Sequence, residues 1–297
     1  MKKPMELAVM VMWKATKAAD DKRLAGKTFP NDLDEYDNIS YIDDGNKLHQ
    51  LDVYVPEGTP SGAKLPVIID IHGGGWYYGD KELNKLYCLY LARCGFVVFN
   101  VSYRFAPEGS LKTMVQDCMA ALSYIGEHIG EYPADPNRVF ITGDSAGGQL
   151  AAWMPCLIKS SKLRSAYETV SADLSIKGVG LVSPVPDIEP KGLMGVYFKL
   201  FVGKDYKEQP YAGFLNFPDL YKEAGEYPPT IIFTSIMDVV AEFQAADVYK
   251  FLKKQGVKVK FDKQFNPKLQ HVYQVTNPDD KDGQKAITRL TDFFLSC

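Results

Sequence analysis

Cysteine and histidine are scarce in this chain, and the scarcity excludes whole classes of function. Five cysteines in 297 residues (Cys88, Cys94, Cys118, Cys156 and Cys297) form no CxxC pair and accompany no histidine cluster. An odd number without ligand spacing argues against a disulfide framework or a zinc site. Free thiols in a reducing compartment are the expectation, and with them a cytoplasmic location. An excess of charge of one sign is lacking too: 34 Lys and Arg stand against 37 Asp and Glu, a net charge of −3. Such a balance does not attract a polyanion, so nucleic acid is not an expected partner. No apolar run approaches the roughly 18 residues of a membrane span, and no membrane partner is expected. At the N-terminus Lys2 and Lys3 precede the apolar stretch Met5 to Trp13, but Glu6 interrupts it and Lys14 and Lys17 follow at helical spacing. Without a small-residue cleavage site, this reads as an amphipathic helix packed on the protein rather than a signal peptide.

What is present is ordinary globular material, 46% hydrophobic and 24% charged. Apolar, β-branched runs alternate with helical stretches from residue 38 onward, the pattern of a wound α/β sheet. The expected strands are 38–42, 48–55, 66–71, 95–101, 138–142, 177–182, 230–234 and 257–261. The expected helices are 81–93, 110–129, 146–158, 241–255 and 279–295, with Pro155 predicted to kink or end the third. Residues 186–228, rich in Pro, Gly, Tyr and Phe, interrupt the rhythm between two strands. Insertions of that length commonly serve as lids or binding walls, so this one and the N-terminal helix are expected to form a cap.

Two glycine-rich segments carry chemistry. Gly143-Asp144-Ser145-Ala146-Gly147 lies between the strand RVFIT and a helical stretch. A serine in a sharp strand-to-helix turn is lifted above the sheet, and side chains two residues away on either side would clash. His72-Gly73-Gly74-Gly75-Trp76 follows another apolar strand. The amides of Gly73, Gly74 and Ala146 are therefore expected to surround an oxyanion. A phosphate loop would require Gly-Lys-Ser/Thr where Trp76 stands. Of the four histidines, His49 lies in an early strand, His128 near a helix end and His72 in the glycine loop. His271, after the last strand, is left as the base at the carboxyl edge of the sheet. Asp238 is the expected acid, since the chain order is Ser, acid, His; Asp187 is its rival and Glu242 a weaker one.

With these residues assembled, the chain resembles the hormone-sensitive-lipase-like carboxylesterases of the α/β-hydrolase superfamily. The resemblance rests on HGGGW at 72–76, YRFAPE at 103–108, DPNRVFITGDSAGGQLAA at 135–152, YPPTIIF at 227–233, Asp238 and His271. It implies an α/β-hydrolase fold: a mostly parallel sheet of about eight strands flanked by helices, in a single domain over 1–297. The cap it implies comes from about 1–37 and 186–228. It further implies hydrolysis of short-chain, acetyl-like esters without a cofactor, through Ser145, Asp238 and His271, with Gly73, Gly74 and Ala146 as oxyanion donors. Trp76, Asp144, Val239 and Val272 are the expected substrate-binding neighbours. The family usually follows its acid with Pro-Leu-Arg-Asp and its histidine with Gly; here Val-Val-Ala-Glu and Val272 follow, and Gln149 replaces a common Asn. An amidase or formamidase with the same triad, or a ligand-binding receptor on the same scaffold, are the alternatives. The expected partner is a small-molecule ester, and the expected state a monomer or small homo-oligomer.

Overall fold

The computed structural model describes residues 2–186, 192–203 and 205–297. Eight strands form one sheet: β1 (Leu33–Ser40), β2 (Gln50–Pro56), β3 (Leu65–Ile71), β4 (Val97–Val101), β5 (Ala134–Asp144), β6 (Ile176–Val182), β7 (Thr230–Ser235) and β8 (Val259–Gln264). Their order is β1-β2-β4-β3-β5-β6-β7-β8, with β2 antiparallel to both its neighbours and every other pair parallel. The helices described are α1 (Lys2–Ala25), α2 (Lys81–Ala92), α3 (Leu111–His128), α4 (Ser145–Lys159) and α5 (Ser161–Tyr167). After them come α6 (Gly192–Val202), α7 (Phe217–Ala224), α8 (Glu242–Lys254), α9 (Tyr273–Thr276) and α10 (Lys281–Leu295).

The sheet is covered on both faces, which is why its central strands read as continuous apolar runs. Alternate residues of β3 divide between two cores. Val67, Ile69 and Ile71 join side chains of α3, α4 and α8, whereas Ile68 joins those of α2 and α10. Helix starts are capped locally: Asp80 accepts from Glu82 N before α2, and Ser110 and Thr113 form a reciprocal capping box at α3. The parallel strands β3 and β5 both run toward the edge where the glycine loop and Ser145 sit, so the topology brings those two segments together.

One difference from the sequence reading has a physical cause. The first strand is 33–40 rather than 38–42, because an edge strand such as LDEYDNIS pairs on one side and need not carry an apolar pattern. Helix α4 spans Ser145–Lys159, close to the expected 146–158 and with Pro155 inside it, and the Arg164 guanidinium takes up the carbonyls of Leu157 and Ile158 near its end. The described part of the 186–228 insertion packs in two places. Tyr197 and Phe201 of α6 reach the glycine loop, while Phe217 and Tyr221 of α7 pack edge-on against Phe251 of α8.

Candidate active site

Strand β5 ends at Asp144 and α4 begins at once with Ser145, whose φ is +52°. A non-glycine residue in the left-handed region is strained and persists only where its surroundings hold it. Here glycine permits the holding. A Cβ on Gly147 would lie 2.1 Å from Ile71 O, and one on Gly143 2.8 Å from the same atom. The end of β3 therefore presses directly against the turn, and Ser145 stands above the sheet edge.

Ser145 Oγ lies 2.9 Å from His271 Nε2, and His271 Nδ1 lies 2.8 Å from Asp238 Oδ1. The distances fit a tautomer in which Nδ1–H donates to the carboxylate and Nε2 accepts from the serine hydroxyl. Asp238 is fully buried at the end of β7 and also accepts from Thr234 Oγ1 (3.2 Å) and Ala241 N (3.0 Å). Burial pushes its carboxyl up, but the hydrogen bond and charge of His271, with Ser183 and the Ala241 amide, outweigh burial and hold it below the usual range. The histidine is braced from its next residue. Val272 has φ +50° and its N–H donates to Ser183 Oγ at 3.2 Å. That left-handed backbone explains why glycine suits this position in the family the motifs resemble.

The other histidines are engaged elsewhere. His72 is fully buried, donates Nδ1–H to Gly73 O (2.7 Å) and stacks on Tyr103; burial holds its basicity down. His49 lies between Asp44 and Asp117, and His128 pairs with Glu131. Asp187 lies outside the described residues. Glu242 pairs with Lys263 instead of His271.

Two expected site residues have different partners. Gly73 cannot serve as a free oxyanion donor, because its N–H is donated to Asp144 Oδ1 at 2.9 Å. Asp144 in turn cannot meet a substrate: it is buried, and the same oxygen also accepts from Asn84 Nδ2 at 2.9 Å. Asn84 further donates to Asp70 Oδ2 at 2.8 Å, so a buried Asp70–Asn84–Asp144 chain anchors the glycine loop. The amides of Gly74 and Gly75 have no acceptor among the described residues. Gly74 (φ +113°) is confined by Tyr78, whose carbonyl oxygen would lie 1.9 Å from an added Cβ. Gly75 is confined by the Trp13 ring of α1, 2.1 Å from such a Cβ, and its carbonyl accepts from the Tyr197 hydroxyl.

Trp76 is buried, stacked on Phe201 (4.7 Å), and donates Nε1–H to Gln149 Oε1 at 2.9 Å. Val239 is 87% exposed, beside the triad but turned to solvent. Arg104 of the YRFAPE segment pairs with the buried Asp117. Sequence reasoning missed Gly75, although the third glycine of the run was visible. It also missed Asp70, Asn84, Trp13 and Tyr197, which belong to no motif and matter only through contacts.

Two clefts open on this side. One of about 460 Å³ has His271 on its wall, between Asp20 and Arg23 of α1 and the 266–282 segment. The other, of about 500 Å³, lies between α1 and the 77–83 and 105–108 loops, away from the triad.

A family model described as alpha/beta hydrolase fold matches residues 68–275. The chain belongs to this family. Its fold is similar over its whole length to esterase B from Lactobacillus rhamnosis, solved with a C4-C4 SN3 tributyrin phosphonate inhibitor. That likeness has a TM-score of 0.92, with 28% identity, over 100% of this chain and 96% of the other. A probable isoprenylcysteine alpha-carbonyl methylesterase of Arabidopsis thaliana is 28% identical over 226 residues, 71% of this chain and 46% of that protein. Esterase LipI of Mycobacterium tuberculosis is 36% identical over 152 residues, 44% of this chain and 48% of the other. The chain spans less than half the length of the curated relatives it matches. Among the described residues no helix is long and apolar enough to cross a membrane.

Proposed function

We propose that this chain is a serine carboxylesterase. The observation that carries the reading is the hydrogen-bonded sequence Ser145–His271–Asp238 beside two unclaimed glycine amides. Ser145 attacks an ester carbonyl while His271 takes its proton, and Asp238 stabilises the imidazolium. The oxyanion forms against the amides of Gly74, Gly75 and Ala146, the last at the start of α4, where the helix dipole adds to the field. His271 then protonates the leaving alcohol, and a water activated by the same base releases the acid from the acyl-enzyme.

The acyl group is short, of acetyl to butyryl size. Support for this comes from the aromatic packing of Trp13, Trp76, Tyr197 and Phe201 around the glycine loop, which leaves little room beside it. The inhibitor in the esterase B structure, a tributyrin phosphonate, agrees with that size. The cleft beside His271 receives the alcohol half. The whole chain acts as one catalytic domain, with α1 and α6 as its cap.

The test is hydrolysis of p-nitrophenyl acetate, butyrate and octanoate by the wild type and by Ser145→Ala. Rates should fall with chain length, and the variant should lose at least about 10³-fold on the acetate while keeping its thermal stability. Equal rates in variant and wild type would reject the nucleophile. A matched amide cleaved as fast as the ester would turn the reading to an amidase.

A further inference from the structure

Thirteen large apolar side chains are exposed among the described residues, and nine of them belong to two segments on the triad's edge of the sheet. Five follow β7 and β8: Met237, Val239, Val240, Phe243 and Phe265, with exposures from 43% to 87%. These loops are joined where Ile236 N donates to Gln264 O at 3.0 Å, and Asp238 lies among them. The other four, Leu7, Met10, Val11 and Met12, lie on α1 just before Trp13, the residue that fills the space against Gly75.

These four are not spare core residues. The inward side of α1 is the series Val9, Trp13, Thr16, Asp20 and Arg23, spaced four, three, four and three apart. The first half of α1 is thus apolar inward and outward, and a helix apolar all round is a helix meant to be covered. Charge indicates by what. In a chain of net charge −3, residues 2–17 hold four lysines (Lys2, Lys3, Lys14, Lys17) and one acid, Glu6. The second segment is flanked by the exposed Lys268 and by Lys263, which pairs with Glu242 and whose ammonium lies 5.8 Å from the Phe265 ring centroid. A second copy of the chain docked on this face would set lysine against lysine, whereas an anionic surface complements it. Apolar side chains framed by lysine suit a helix lying in a lipid headgroup layer.

We propose that this rim seats the molecule on a lipid–water interface with anionic headgroups, so that the Ser145 site draws its esters from that phase. The proposal rests on the esterase reading for its purpose, though not for the docking itself. Two variants that touch only the rim, Phe243→Ser/Phe265→Ser and Leu7→Ser/Val11→Ser, separate docking from chemistry. In flotation with phosphatidylcholine vesicles containing about 30% phosphatidylglycerol, the wild type should float, and raised salt should weaken it. Each pair should lower the bound fraction at least about tenfold, from the lost apolar burial. Both should hydrolyse soluble p-nitrophenyl acetate at the wild-type rate. Wild type that hydrolyses this ester but stays off the vesicles, or variants that float as well as wild type, would overturn the docking and leave the esterase reading intact. A dimer in light scattering that the same substitutions dissolve would overturn it in favour of a second copy. Flotation by a protein that hydrolyses no ester would leave the docking standing and remove the esterase reading.

Discussion

Asp70 shows how a single buried side chain sets conditions for the site. Burial, and then the neighbouring charge of Asp144, push its carboxyl up to about 8 against the hydrogen bond from Asn84. In water a carboxyl of this kind titrates near 4, so Asp70 keeps its proton at neutral pH only because the fold imposes it. The linkage follows in sign. A folded-state value above the unfolded one gives stability that is full below about pH 4 and is lost as pH rises toward 8. Asp70→Asn copies the protonated shape without the titration. Its melting temperature should therefore gain on wild type between pH 5 and pH 8 and then level off, as thermal melts at several pH values would show. A variant whose advantage did not change with pH would mean that Asp70 is already ionised in the fold. The same chain reaches the chemistry, since Asn84 and Gly73 share one oxygen of Asp144. Asn84→Ala should lower kcat on p-nitrophenyl acetate more than it raises KM, because it loosens the glycine loop rather than removing a substrate contact.

At the scale of elements, α1 matters through one ring. Trp13 stacks on Tyr78 (5.1 Å) and fills the space in front of Gly75, while Tyr78 donates its hydroxyl to Asp20 one helical stretch further on. The helix is then tied down at its far end, where Arg23 donates to Thr276 O and Lys27 beyond it pairs with Asp279. Trp13→Ala removes the packing but leaves those polar ties. A half-buried ring of this size contributes about 1–2 kcal/mol, so stability should fall by a few degrees. Trypsin should cut sooner after Lys14 and Lys17, and ester hydrolysis should drop because Gly75 loses its support. Unchanged cleavage kinetics would show that α1 is held without this contact.

At the scale of the whole molecule, the sheet has two open edges, β1 and β8. Both are polar, and β8 carries Lys260 and Lys263 along its length, a device that discourages edge pairing. Light scattering should accordingly give a mass near 33.2 kDa, that of one chain. A stable dimer that survives substitution of the apolar rim would show instead that an edge strand pairs despite its lysines.

The sequence carried the alternation of the main strands and helices, because burial on both faces writes itself as short apolar runs and several helix starts, those of α2, α3 and α10 among them, have a side-chain cap. It determined the serine turn as well, since only glycine fits at Gly143 and Gly147, where the end of β3 presses in. That His271 and Asp238 meet beside Ser145 was legible from their positions after parallel strands, whose carboxyl ends must converge on one edge. The polar first strand was not legible, because an edge strand needs no periodicity. Which glycine amides stay free was decided only by tertiary structure: Asp144 claims the Gly73 amide through a carboxylate that local sequence could equally have sent toward a substrate. The same holds for Asp70, Asn84, Trp13 and Tyr197. Their roles come from neighbours far away in the chain, and a contact between distant residues leaves no mark on the spacing of either one.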